Sequence, residues 1–104
     1  MVVYKTKTGK SPFFTWKDKL ELGTRAIIRT RLDRVSDGNL GDSKPIKGAQ
    51  GIHELRINYG PGYRIYFGKK GNTVVILLIG GDKASQNRDI ERAKQYWLEY
   101  KEKG

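Results

Sequence analysis

The sequence predicts an α+β domain of order β-α-α-β-β-β-α, with an antiparallel sheet, an N-terminal helical hairpin and a C-terminal helix. Three observations predict it. Apolar residues recur at helical spacing in the first third, at a period of two through the middle, and at helical spacing again near the end. A chain of 104 residues supports one hydrophobic core, so residues 1–104 are read as a single domain.

Val2-Val3-Tyr4-Lys5-Thr6 has the composition of a short strand, and Lys7-Thr8-Gly9-Lys10-Ser11-Pro12 interrupts it with Gly and Pro. Pro12 suits the first turn of a helix, where its missing N–H removes no intrahelical bond. Phe13, Trp16 and Leu20 then share one helical face; Gly23 is expected to end that helix and Thr24 to cap the next. Ile28, Leu32 and Val35 form the apolar stripe of a second helix whose other face carries Arg25, Arg29, Arg31 and Arg34. Residues 36–51 are rich in Gly, Asp, Asn, Ser and Lys and read as a loop or an irregular edge.

In His53-Glu54-Leu55-Arg56-Ile57-Asn58, Leu55 and Ile57 alternate with polar residues, which predicts a strand with one buried and one polar face. Gly60-Pro61-Gly62 makes a turn, and Tyr63-Arg64-Ile65-Tyr66-Phe67 repeats the alternation, with Arg64 and Tyr66 opposite Tyr63, Ile65 and Phe67. Lys69-Lys70-Gly71-Asn72 is a hairpin signal. The apolar run Val74 to Ile79 predicts a central strand covered on both faces. After Gly80-Gly81-Asp82-Lys83, Ile90, Ala93, Trp97 and Tyr100 keep helical spacing. Short connections favour an antiparallel meander of the last three strands with the helices on one side.

Charge narrows the choice of partner. Lys and Arg number 21 against 11 Asp and Glu, a formal net charge of +10 that a polyanion or an acidic partner would balance. Of these, 16 basic and 7 acidic side chains precede Ala84, so the excess belongs to the body of the domain. The absence of cysteine excludes disulfides, thiolate metal sites and a cysteine nucleophile. No cofactor is expected, and with one histidine no transition-metal site is either. The start lacks a secretory pattern, and Val74 to Ile79 is too short to cross a bilayer, so a cytoplasmic protein without a membrane partner is expected.

The candidate chemistry is cationic. Arg56 and Arg64 fall on the polar faces of strands joined by a tight turn, so they can converge where a phosphate binds bidentately; the alternative is that they pair with a carboxylate such as Glu54. Lys83 follows two glycines and precedes a helix, a setting where backbone N–H groups favour an anion and glycines permit close approach. Lys44 and Lys47 flank Pro45 and can track an RNA backbone, while Tyr59, Tyr63 and Tyr66 can stack a base or pack. His53 shares the side of Leu55 and Ile57 and reads as packed.

The blocks Glu54-Leu55-Arg56-Ile57, Gly60-Pro61-Gly62-Tyr63-Arg64-Ile65-Tyr66-Phe67 and Leu77-Leu78-Ile79-Gly80-Gly81-Asp82-Lys83 together resemble the phage-derived addiction-module killer proteins, a HigB-like branch of the RelE/ParE toxin superfamily. The likeness extends back through Arg31-Leu32-Asp33-Arg34 and Gly38-Asn39-Leu40-Gly41-Asp42-Ser43-Lys44-Pro45 and so covers nearly the whole chain. It implies a RelE-like fold and the toxin of a type II toxin–antitoxin system. Such a toxin is a metal-independent, ribosome-dependent mRNA endoribonuclease that uses the RNA's own 2′-OH to attack the adjacent phosphate. By the same resemblance Arg64 stabilises the transition state, with Arg56 and Lys83 as further cations. Either a lysine or Glu54 remains as general base, since Asp89 stands where RelE has a tyrosine. The implied partners are a cognate antitoxin, the ribosome and mRNA, with operator DNA bound through the antitoxin. A ParE-like gyrase inhibitor and an inactive RNA-binding module share this fold and stay open as alternatives.

Overall fold

Helical spacing and alternation become secondary structure in a computed structural model that describes residues 2–39, 41–70 and 73–103. The elements are β1 (Val2–Val3), α1 (Pro12–Lys17), α2 (Leu22–Ser36), β2 (Ser43–Pro45), β3 (Ile52–Ile57), β4 (Tyr63–Lys70), β5 (Thr73–Asp82) and α3 (Gln86–Lys103). Gly71 and Asn72 of the expected hairpin, and Leu40, lie outside the described residues, as do the side chains of Val74 and Val75. No helix among the described residues is long and apolar enough to cross a membrane.

Two helices form in the segment expected to be a helical hairpin, with a boundary moved. Ser11 caps α1 by accepting the Phe14 N–H at 3.2 Å, and Pro12 occupies the first turn as its fixed φ favours. Gly23 does not end a helix but lies in the first turn of α2, and Thr24 is buried rather than capping. The reason is that α1 stops at Lys17, so the next helix can begin at Leu22, with Glu21 at its cap position.

The sheet is mixed rather than purely antiparallel, in the order β1-β5-β4-β3-β2. β2 through β5 pair antiparallel, as the short connections require, but β1 joins β5 in parallel through Val2↔Ile76 and Val3↔Leu77. β2 is a short edge strand inside the segment read as a loop; its Lys44 lies opposite Glu54.

Helices cover both faces, which corrects the expectation of one. Phe13, Ile28 and Val35 of α1 and α2 pack with Leu55, Ile57, Ile65, Phe67 and Leu77. On the other face Ala93 and Trp97 of α3 pack with Tyr4, Ile52, Tyr66, Ile76 and Leu78. The alternation on β3 and β4 looked half-solvated because the second face carries Glu54 and Tyr66, yet these are only 2% and 0% exposed. A tyrosine ring supplies apolar area to α3 despite its hydroxyl, and the Glu54 charge is met by arginines. For β5 the expected double coverage is what the structure shows, with Leu77 on one face and Ile76 and Leu78 on the other.

Candidate functional site

In the β3–β4 ladder Arg56 lies directly opposite Arg64, and Glu54 opposite Tyr66. Directly opposed residues share a face, so two guanidinium groups and one carboxylate meet on the side covered by α3. Both arginines donate to the same atom: Arg64 Nη1 to Glu54 Oε1 at 2.8 Å and Arg56 Nε to Glu54 Oε1 at 3.0 Å. Gln86, in the first turn of α3, donates to the other oxygen, Oε2, at 3.1 Å. The sequence alternative of pairing with Glu54 is therefore realised, but by two cations sharing one anion.

That sharing leaves charge and donors over. One carboxylate balances one of the two guanidiniums, and each guanidinium has five N–H donors of which one is engaged by Glu54. The Glu54 side chain is buried at 3% exposed, whereas Arg64 keeps 14% and Arg56 41%. Arg31 of α2 fixes the strand from behind, donating from Nη2 to the Arg56 carbonyl at 3.2 Å.

Arg56, Arg64 and Lys83 line one cleft of about 430 Å³, closed on its far side by the Gly60-Pro61-Gly62 turn. Lys83 reaches it because Arg64 pairs with Gly81 across β4 and β5, which brings the segment after β5 beside the arginine. Tyr59, 45% exposed, and half-buried Tyr63 line the same cleft. Glu54 lies beneath it and is not part of its lining. The arrangement is a cationic cradle over a buried anion, suited to a phosphate with aromatic rings beside it.

The other expected RNA contacts are placed differently. Tyr66 is fully buried against α3 and cannot stack a base; its hydroxyl has no hydrogen-bond partner among the described residues, and burial, then the charges of Glu54 and Asp89, pushes its pKa up. Lys44 is exposed on β2 but lies outside the cleft lining. Lys47 follows Ile46, whose N–H bonds the Ile52 carbonyl, so it sits at the opposite end of β3 from Arg56, about 13 Å along the strand. His53 stacks on Phe67 at 5.5 Å, and burial followed by Lys69 lowers its pKa, as befits a packed residue.

The two glycines serve the protein rather than a phosphate. A Cβ on Gly80 would stand 2.3 Å from the Trp16 ring, and one on Gly81 would stand 1.8 Å from Asp89 Oδ2. Ser85 N–H donates to Asp82 Oδ1 at 3.0 Å, and the Ser85 hydroxyl to Asp89, so carboxylates already occupy the start of α3. Of the Gly-Gly-Asp-Lys segment, only Lys83 lines the cleft with Arg56 and Arg64. Missed by the sequence reading were Gln86 as a donor to Glu54 and the turn residues between Tyr59 and Tyr63 as a cleft wall; paired tyrosines around Gly-Pro-Gly were the available signal. Among the described residues no group of three or more His, Cys, Asp or Glu is placed to hold a metal ion.

Comparison with known proteins matches residues 15–97 to the family described as phage derived protein Gp49-like (DUF891). An uncharacterized protein of Haemophilus influenzae (strain ATCC 51907 / DSM 11121 / KW20 / Rd) is 46% identical over 83 residues, covering 79% of this chain and 82% of the relative. No solved structure matches the chain. The matched span runs from α1 through most of α3 and includes every residue of the cationic cleft, and on it the chain belongs to the phage-derived Gp49-like protein family.

Proposed function

We propose that this protein is the toxin of a type II toxin–antitoxin pair and acts as a ribosome-dependent mRNA endoribonuclease. The observation that carries the reading is the convergence of Arg56, Arg64 and Lys83 on one cleft, with both guanidiniums anchored to a single buried carboxylate. Membership of a phage-derived family and the net charge of +10 support it.

In the proposed reaction the 2′-oxygen bonds to the adjacent phosphorus, and the bond from phosphorus to the 5′-oxygen breaks. The products are a 2′,3′-cyclic phosphate and a 5′-hydroxyl; the 2′ proton leaves and the 5′-oxygen gains one. Negative charge spreads over the phosphoryl oxygens midway, where preorganised cations act most strongly. Arg64, the more enclosed guanidinium, supplies that stabilisation with Arg56 and Lys83. Glu54 serves as a positioning residue, because its oxygens are taken by Arg56, Arg64 and Gln86. Lys83 brings an amine to the cleft, and Tyr59 and Tyr63 flank the RNA bases. Orientation of the RNA falls to the ribosome and accounts for the dependence on it. A cognate antitoxin neutralises the protein by laying an acidic segment over the cleft.

Inducing wild-type protein and the Arg64→Ala variant in bacteria, then mapping mRNA 5′ ends, tests the reading. New ends and growth arrest with wild type, and neither with a folded Arg64→Ala protein, are expected. Arrest with DNA breaks but no new ends would replace the nuclease by a gyrase inhibitor.

A further inference from the structure

A second cleft of about 420 Å³ lies between α1, the outer edge of β5 and α3. Its rim carries Lys10, Lys19, Arg88 and Arg92, all exposed, and none makes an ion pair among the described residues. Arg88 and Arg92 stand four residues apart on α3, and the fold brings Lys10 and Lys19 from two other parts of the chain to the same rim. Trp16 and Tyr96, both half-buried, supply aromatic walls. The inner surface includes Gly80, Gly81 and the buried carboxylate of Asp89. β1 pairs with Ile76 and Leu77, so the next part of the β5 edge, Ile79 to Gly81, faces this cleft without a described strand beside it.

The two clefts are neighbours. Gly81 of the second lies opposite Arg64 of the first across the β4–β5 ladder. Trp16 of the second meets Tyr63 of the first edge-on, with ring centroids 6.1 Å apart. An aromatic partition therefore separates two cation-lined hollows on the same end of the sheet.

Unpaired cations around an aromatic-walled hollow match a nucleotide, which offers a phosphate to the rim and a base to the rings. A buried carboxylate on the inner surface suits the amino edge of a base and would repel a second phosphate placed deep. We propose that this cleft is a nucleotide subsite, holding the ribonucleotide next to the one whose phosphate rests on Arg56, Arg64 and Lys83. The inference rests on the proposed RNA substrate and extends it to a substrate longer than the reacting dinucleotide.

The test uses the full chain and an oligoribonucleotide of about six nucleotides made uncleavable by a 2′-deoxy sugar at the reacting position. Binding is read by fluorescence anisotropy across a salt series for wild type and for Lys19→Ala combined with Arg92→Ala, both exposed positions whose loss leaves the core intact. The variant is expected to bind about tenfold more weakly, with a salt slope lower by about 1.4 for two lost phosphate contacts. A 4-thiouridine placed beside the reacting position is expected to crosslink to Trp16 or Tyr96. Unchanged affinity and slope, or crosslinks absent from both residues, would overturn the subsite. A free mononucleotide that binds wild type as tightly as the oligonucleotide would overturn it too, by marking a small-molecule site. If the variant loses binding while wild type generates no new mRNA ends in cells, the subsite stands and the nuclease falls. If cleavage occurs and variant binding is unchanged, the nuclease stands and the subsite falls.

Discussion

Replacing Glu54 by Gln removes one negative charge from beneath two guanidiniums while keeping side-chain shape. Glu54 is 2% exposed and accepts from Arg64 at 2.8 Å and Arg56 at 3.0 Å. Removing one partner of a buried pair costs about 3–5 kcal/mol, because the other charge stays desolvated and uncompensated. Here the uncompensated group is chiefly Arg64, whose side chain is 14% exposed, while Arg56 at 41% exposed can turn to water and contributes little. The amide oxygen still accepts one hydrogen bond, which places the loss at the lower end, about 3 kcal/mol. For a domain of this size that is about 12–24 °C in Tm and a large share of a total stability of about 5–15 kcal/mol. Urea denaturation followed by circular dichroism measures it, and a loss below about 1 kcal/mol would refute the buried-anchor account. A second variant separates energy from chemistry. Glu54→Leu with Arg64→Met removes the buried pair as a unit and should return within about 1 kcal/mol of wild-type stability. Because it lacks the enclosed guanidinium, it should produce no mRNA cleavage.

Other outcomes follow from the same geometry. Lys83→Ala should abolish cleavage in cells and Lys83→Arg should restore it if the charge alone acts; failure of arginine to restore it, read by 5′-end mapping, would assign Lys83 a proton-transfer role. Tyr66→Phe deletes a buried hydroxyl that has no partner among the described residues, and should raise stability by up to about 1–3 kcal/mol without altering cleavage. A lower Tm would show that the hydroxyl is satisfied. His53 has a pKa below its ordinary value, so the unfolded chain binds its proton more readily, and stability should fall as pH drops below about 6.5 toward the folded-state pKa. His53→Phe should flatten that part of the profile, and an unchanged profile between pH 7 and pH 5 would place the dependence elsewhere.

The backbone plan was legible because periodicity reports which face of an element is buried. The change of period before His53 located the meander, and the unbroken run from Val74 located the central strand. What alternation does not report is whether a polar face is wet. Glu54, Arg56, Arg64 and Tyr66 share a polar face whose burial the alternation left open, and α3 lies over that face and buries Glu54 and Tyr66. The amphipathic spacing of Ile90, Ala93 and Trp97 said that α3 needed a surface, not which of two surfaces it would take. Convergence of Arg56 with Arg64 could be read from a six-residue strand, a tight turn and matching alternation. Glu54 could be named as a carboxylate for them to pair with, but not as one both would share from a buried position, since it had equal claim to solvent. The roles of Gly80 and Gly81 needed coordinates, because a glycine in a sequence does not tell whether a ligand or a neighbouring ring takes the space it leaves.

The opening residues of the chain are secured by its closing ones. Tyr4 stacks on Tyr96 at 5.0 Å and its hydroxyl donates to Glu99, 95 positions later; burial, and then that carboxylate, raises the tyrosine pKa to about 12. β1 likewise waits for β5. During synthesis the interval between Tyr4 and Glu99 is about 5–19 s at usual elongation rates. Throughout it the edge of the sheet lacks its clasp, and the α3 residue that steadies Glu54, Gln86, arrives only in the last part of the chain. A nascent chain therefore carries Arg56, Arg64 and their Glu54 anchor before it carries the helix whose Gln86 holds the other oxygen of that carboxylate.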